Sequence, residues 1–494
     1  MSAPQRGLWL LQQLDPDNPV LSIGDVLEIH GAIDPEVYGA AIRQVVREAE
    51  ALRIRIGVDD DEAFQYLVDP DTVQVAFVDL SGEADPDATA EAHMAAGFDR
   101  AMDPTQDPLF APELIKLADD RHLSYHRFHH VAVDGWSMGL VARRLAAVYT
   151  RLLAGEEPGD SPFGPLSTLL EADTAYRTSP ARREDAEFWR HYLTDVPETA
   201  RLTTGEPGIP PRLVCRTTVV PESVADRLRA LAAKAGVRTS AVEIAATAAY
   251  LHSMTGAREL VLGLPVAARQ DDTVRSVPGM ASNVIPLRVE IHPGTTVAEL
   301  LGHVAERTGD VLRHQMYRYE DLSRDLNLVG LRQQLEGPLV NAMNFDYDLR
   351  FGSAPATGRY LPLGPVQDLS FQFQDREDGQ GWRIQPQGNA DLYTAEELDE
   401  HGARLVRLLT TLADATPDTS IGRLGVLLPG EHEVLESWQG AVTGALVASV
   451  PELFAVQVAR TPDAVAVEFG ESVLTYAELD ARANQVAHWL MGRG

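Results

Sequence analysis

Between Leu123 and Gly155 the chain changes its period. The stretch LSYHRFHHVAV alternates polar and apolar residues and is rich in aromatics and valine, as strands are. SMGLVARRLAAVYTRLLAG follows, with Val141, Leu145, Val148 and Leu152 at helical spacing and Gly155 as a C-terminal stop. A strand that feeds a long helix is the building unit of mixed α/β architecture, and it makes YHRFHHVAVDGWSMG, residues 125–139, the turn between the two. Into that turn fall two adjacent histidines, Asp134, Gly135 and Ser137.

The same grammar recurs along the chain. A helix is expected from Pro35 to Glu50, with Val37, Ala41 and Val45 on one face, then a short strand from Leu52 to Ile56. Further on come a helix in ESVADRLRALAAKAG, a second in TSAVEIAATAAYLHSMTG with Ser240 and Glu243 at capping-box spacing, and the apolar strand ELVLGLPVA. No short fixed-period repeat is present. The 494 residues exceed one small core, and GEEPGDSPFGPLS reads as an exposed connection near 155–185. The expected division is two α/β lobes, 1–175 and 176–435, then a linker and the start of a further domain over 436–494.

Charge and cysteine content narrow the function. Seventy-three acidic against 42 basic residues leave −31, so neither nucleic acid nor an anionic membrane is an expected partner. Cys215 is the only cysteine, which excludes an internal disulfide and a thiolate zinc cluster. Without a basic leader or a run of about 18 apolar residues, the expected location is the cytoplasm.

Four readings compete for the turn. Strand-end histidines are often core residues satisfied by backbone hydrogen bonds. Gly135-x-Ser137-x-Gly139 between strand and helix has the form of a hydrolase elbow, yet it leaves His129, His130 and Asp134 unexplained. A metal site from His126, His130 and Asp134 would use alternate strand positions, excludes His129, and lacks the helical His-x3-His pair of zinc peptidases. The fourth takes His130 as acid/base group of an acyl transfer, since an imidazole of pKa about 6.5 accepts a proton near neutrality without a metal. Asp134 then braces the turn, through an arginine, and Gly135 lets backbone approach a substrate.

His129-His130-Val131-Ala132-Val133-Asp134-Gly135 resembles the HHxxxDG core of nonribosomal peptide synthetase condensation domains. SAPQRGLWLLQQL is similar to the family's opening motif through Gln5, Leu8 and Trp9, and EAEALRIRI to its second through Glu50, Leu52 and Arg53, with Ala49 where histidine is usual. GMASNVIPLRV is similar to the fifth motif through Gly279, Asn283, Pro286, Leu287 and Arg288, with Ser282 replacing valine, and the fourth is faint in EADTAYR. LTYAELDARANQVAHWL resembles the first motif of an adenylation domain, and NFDYDLRFG with LGPVQDLSF is similar, more weakly, to condensation domains that open siderophore modules.

The resemblance implies two chloramphenicol-acetyltransferase-like lobes in a V-shaped pseudo-dimer, with the site at their junction. It implies amide formation between a donor acyl thioester and an acceptor amine, both carried on phosphopantetheine arms of carrier proteins, with no covalently bound cofactor, no assigned cofactor-binding residue and no metal. His130 and Gly135 are the catalytic expectations, the first positioning or deprotonating the amine and the second offering its N–H to the oxyanion. His129, Asp134 and Asn283 are structural, as is Arg288, the first choice of partner for Asp134, with Arg53 the second. An epimerisation-type or non-catalytic recruiting domain is the alternative, and Ser137 is the nucleophile only if the hydrolase reading holds. The chain starts just before its first motif, so the donor is expected in trans. It lacks a Leu-Gly-Gly-x-Ser attachment site, PGDSP being part of the connection, and its tail is expected to be a truncated or vestigial adenylation start.

Overall fold

The alternating stretch forms the strand Arg121–His129, ending short of Val133. Val131, Ala132 and Val133 are buried in the following turn, where Ala132 N–H bonds the His129 carbonyl at 2.9 Å. Apolar residues that fill a core from a tight turn carry the same signal as a buried strand, which is why periodicity overran the boundary. The computed structural model describes residues 1–493 apart from 61, 211, 327–334, 336, 344–348, 362–363, 376–378, 440–447 and 471.

Two compact units result, Met1–Leu428 and Pro429–Gly494. In the first unit, Arg121–His129 lies between Ser22–His30 and Phe110–Ala118, antiparallel to both. Ala76–Asp79 extends this sheet on one side, and the hairpin Leu349–Phe351/Ala354–Tyr360 extends it on the other. That hairpin lies far beyond residue 175, so the chain crosses back and a cut at 175 does not cleanly partition the lobes. Helices Pro35–Glu48 and Gly135–Leu153 cover one face, bringing Tyr38, Ile42 and Val45 against Val141, Leu145 and Val148. The first of these ends before the expected Glu50, because Ala49 caps it and Glu50–Arg53 turns as a 3-10 helix into the strand Ile54–Asp59.

A second sheet has the order Asn283–Glu290, Glu259–Val266, Leu339–Ala342, Leu369–Gln374, Trp382–Asn389, Leu213–Cys215. Helices Glu222–Ala235, Thr239–Thr255, Val297–Arg313 and Ala395–Ala413 share a hydrophobic core with it. The second helix starts at Thr239 with Arg238 as its cap, so Ser240 sits inside the first turn and the expected box with Glu243 does not form. Gly236 and Gly256 end their helices in the left-handed region, at φ 69° and 73°, where a side chain is disfavoured.

Pro429–Gly494 contains helices Glu431–Trp438, Val450–Arg460 and Tyr476–Met491 and the hairpin Val465–Phe469/Ser472–Thr475. Thr475 and Glu478 form a capping box at the start of the last helix. Part of the expected linker, 440–447, lies outside the described residues, as do 344–348 of NFDYDLRFG and residue 363 of LGPVQDLSF. Among the described residues no helix is long and apolar enough to cross a membrane.

Candidate functional site

Asp134 is the cap of helix Gly135–Leu153 and the joint between the two lobes. It is fully buried and accepts six hydrogen bonds. Its Oδ1 takes Ser137 N–H at 3.0 Å and sits 2.8 Å from Ser137 Oγ, while Oδ2 takes Arg269 Nη1 at 2.7 Å and the N–H groups of Ala281 and Ser282 at 3.0 Å. Burial pushes the Asp134 carboxyl up, but Arg269 and these donors outweigh it and leave it below the usual carboxylate range. The group is therefore a fixed anion holding the turn, with every lone pair engaged and none offered to a substrate.

The partner of Asp134 is thus Arg269, neither Arg288 nor Arg53. Arg288 instead binds Glu259 Oε1 through Nε at 2.7 Å and the Tyr192 carbonyl through Nη1 at 2.7 Å. Arg53 donates to the Val68 carbonyl at 3.1 Å, inside the first lobe. Arg269 carries no motif signal. It follows a strand end in VAARQDD, and its burial at 3% exposure arises only when the lobes close over it.

The two histidines divide by their hydrogen bonds. His129 Nδ1 accepts Val131 N–H at 3.0 Å, and its Nε2–H points to Gln12 Oε1 at 3.1 Å. Gln12 Nε2 donates to the carbonyls of Asp15, Pro16 and Asn18, which fixes Oε1 as the acceptor. Both nitrogens of His129 are committed, and burial lowers its pKa to about 3, so it stays neutral and takes up no proton. His130 differs. Its Nδ1 lies 2.9 Å from the Val133 carbonyl, an atom that only accepts, so Nδ1 carries the proton and Nε2 carries the lone pair. Nε2 has no hydrogen-bond partner among the described residues, and burial also lowers the His130 pKa, the Val133 carbonyl and Asp134 opposing in part.

His130 and Gly135 line one chamber of about 560 Å3 together with Leu8, Ile23, Asn283 and Met343. Gly135 is the first residue of its helix, so its N–H has no intrahelical partner and stands at the positive end of the helix dipole. A Cβ there would stand 3.3 Å from Met343 Cε, so the glycine keeps this wall clear. Asn283 holds the neighbouring loop: its Nδ2 donates to the carbonyls of Gln315 and Tyr317 at 3.0 and 2.7 Å, and its Oδ1 accepts Tyr319 N–H at 3.2 Å. Gln12, Arg269 and the Tyr317 loop were invisible to sequence reasoning because each acts through a contact made by folding.

The other two readings lose their residues to the core. Ser137 is fully buried, its hydroxyl accepting Gly279 N–H at 2.9 Å and Arg269 Nη2 at 3.1 Å. It supports Asp134 and faces no base. His126 engages Asp25 Oδ1 at 2.9 Å and Ser124 Oγ at 3.0 Å, so His126, His130 and Asp134 have separate partners and form no common ligand set.

A family model described as Condensation domain matches residues 1–436. The dimodular nonribosomal peptide synthase of Bacillus subtilis is 35% identical over 495 residues, covering 100% of this chain and 21% of the relative. The isonitrile lipopeptide synthase of Streptomyces coeruleorubidus is 37% identical over 493 residues, 99% of this chain and 33% of that protein. Enterobactin synthase component F of Escherichia coli is 29% identical over 498 residues, 100% of this chain and 38% of its own length. The chain thus spans between about a fifth and two fifths of these relatives. Among solved structures, a starter condensation domain of rhizomide synthetase in complex with C8-CoA superposes with TM-score 0.81 at 35% identity, covering 86% of this chain and 97% of that one. The first condensation domain of the calcium-dependent antibiotic synthetase, in complex with a substrate analogue, gives TM-score 0.81 at 32% identity over 87% and 98%.

Proposed function

The chain belongs to the condensation-domain family of nonribosomal peptide synthetases, and from that premise we propose that its first unit joins a carrier-bound acyl or aminoacyl thioester to the amine of a carrier-bound amino acid. The observation that carries this reading is the His130 imidazole in the wall of a chamber built by both lobes, its Nδ1 on the Val133 carbonyl and its Nε2 without a hydrogen-bond partner among the described residues.

The chemistry follows from that nitrogen. The acceptor amine, with pKa about 7.7 to 8.0 as an α-amine, is partly neutral near pH 7. His130 Nε2 accepts one of its hydrogens and so directs the nitrogen lone pair at the thioester carbon. The C–N bond forms, the carbonyl oxygen takes the negative charge, and Gly135 N–H is the oriented donor that meets it. The proton passes to Nε2 as the intermediate collapses, the C–S bond breaks, and the imidazolium returns the proton to the departing thiolate. Asp134 and Arg269 hold the turn and touch no reacting atom.

Carrier proteins are the partners in this reading, and their phosphopantetheine arms bring both substrates, so docking meets much of the entropic cost of bringing them together. The complex of the rhizomide neighbour with C8-CoA supports a chamber that admits a pantetheine-linked acyl group. In this reading 436–494 holds the start of an adenylation domain, and the assembly works in the cytoplasm. Incubation with a loaded donor carrier and a loaded acceptor carrier, followed by mass spectrometry of the acceptor, tests the proposal. An acceptor heavier by the acyl group is expected, with loss of that product in His130→Ala and retention in Ser137→Ala. Unchanged product in His130→Ala, or ester hydrolysis that depends on Ser137, sinks it.

A further inference from the structure

Arg269, which binds Asp134 from the opposite lobe, is aimed by a strained residue. Strand Glu259–Val266 ends shortly before it, and between them Ala268 takes φ 49°, in the left-handed region, at 4% exposure. A side chain there crowds its own backbone, so an alanine keeps this conformation only where its surroundings impose it. The kink has a use. With the chain so turned, Arg269 Nη1 bonds the Ala267 carbonyl at 3.1 Å and Asp134 Oδ2 at 2.7 Å, while Nη2 bonds the Gly279 carbonyl at 2.8 Å and Ser137 Oγ at 3.1 Å.

Gln315 imposes the kink. Its Oε1 accepts Ala268 N–H at 3.2 Å, and its Nε2 donates to the Leu312 carbonyl at 2.9 Å, which fixes Oε1 as the acceptor. Gln315 lies in the turn after helix Val297–Arg313, and that turn is anchored to helix Pro180–Tyr192. Trp189 Nε1 donates to the His314 carbonyl at 3.1 Å, His314 Nδ1 lies 2.7 Å from Asp185 Oδ1, and the His314 ring stacks on Phe188 with centroids 3.8 Å apart. A turn held this firmly is a post for a strained neighbour. Ala267 lines the chamber, but Ala268 and Gln315 do not, so they reach the chemistry only through Arg269.

We propose that Gln315 is a positioning residue of the reaction: through the left-handed Ala268 it aims Arg269 at Asp134 and thereby sets the turn that carries His130. The inference rests on the condensation reading for its effect on rate, whereas the placement of His130 is read without turnover. Without the Oε1 acceptor, Ala268 relaxes towards ordinary backbone and carries Arg269 with it. Glycine takes the left-handed region without strain and needs no post.

The test compares Gln315→Met, which keeps the length of the side chain and removes the acceptor, with the double variant Gln315→Met/Ala268→Gly. Amide formation at varied acceptor-carrier concentration should show kcat lower by about 10–100-fold in Gln315→Met with KM held, the scale of a slightly misplaced catalytic group. The double variant should recover to within about twofold of the parent kcat. In nitrogen-15 NMR at pH 7 the His130 resonances should move in Gln315→Met and return in the double variant, which a loss of stability alone would not produce. Unmoved His130 resonances in folded Gln315→Met, a loss carried by KM, or a double variant no closer to the parent than the single one overturns the proposal. If Gln315→Met does not fold, the double variant decides: folded with the parent's His130 resonances it upholds the proposal, and any other result overturns it. If the parent itself forms no amide, the condensation reading falls, and the His130 resonances still decide the role of Gln315.

Discussion

The protein builds the same corner twice. In the first lobe the strand ends at His129, the turn passes through His130, and Asp134 caps a helix of 19 residues. In the second lobe the strand ends at Asn389, the turn passes through Ala390, and Thr394 caps another helix of 19 residues. Val131 N–H bonds His129 Nδ1 at 3.0 Å, and Asp391 N–H bonds Asn389 Oδ1 at 2.9 Å. Ala132 N–H and Leu392 N–H close the two turns at 2.9 Å onto the carbonyls of His129 and Asn389. The backbone is a repeated solution to turning a strand into a helix, and it carries no chemistry by itself.

Three of the differing side chains set the two corners apart in chemistry. His130 stands where the second corner has Ala390, Gly135 where it has Ala395, and Asp134 where it has Thr394. Thr394 satisfies its helix locally through a capping box with Glu397, whereas Asp134 reaches across to Arg269, Ala281 and Ser282. One corner is closed on itself. The other is tied to the opposite lobe, and that tie holds His130 at the chamber.

Exchanging residues between the corners breaks the comparison in order of severity. His130→Ala turns the first corner into the second, and amide formation should fall about 10²–10⁴-fold, the usual worth of a positioned acid/base group. Ala390→His added to that variant should restore nothing, as measured by product yield in single turnover. Arg269→Ala leaves a buried carboxylate uncompensated and should cost about 3–5 kcal/mol in urea unfolding. Thr394→Ala removes only a cap and should cost about 0.5–2 kcal/mol.

His129→Asn gives the first corner the strand-end residue of the second. It keeps the bond to Val131 N–H, loses that to Gln12, and should cost about 1–3 kcal/mol while activity stays within about tenfold. The same variant sharpens the acid response. Burial holds the His129 pKa near 3 in the folded chain. The unfolded chain therefore binds a proton that the folded one does not, and stability falls as pH drops from about 6.5 towards that value. Parallel urea titrations should show a shallower fall in His129→Asn than in the parent.

The histidine motif and the change of period were enough to place the corner, its helix and the two residues at the chamber. They did not reveal the tie. Arg288 matched a motif, yet it serves Glu259 across neighbouring strands, while Arg269 follows a strand with nothing to mark it. The hairpin Leu349–Phe351/Ala354–Tyr360 joins the first lobe's sheet from the far end of the chain, a pairing set by tertiary packing. Periodicity reports which face of an element is buried, not which other element buries it. The repeat of the corner was hidden for the same reason, since HHVAVDG and NADLYTA share hydrogen bonds but no side chain at any matched position.

The central claim is that His130 is held neutral with its proton on Nδ1 and Nε2 bare towards the chamber. Nitrogen-15 NMR of histidine-labelled protein at pH 7, with the His130 resonances assigned by comparison with His130→Ala, reads this directly. The account predicts a protonated Nδ1 and an unprotonated Nε2. An Nε2–H tautomer or an imidazolium at that pH would contradict it.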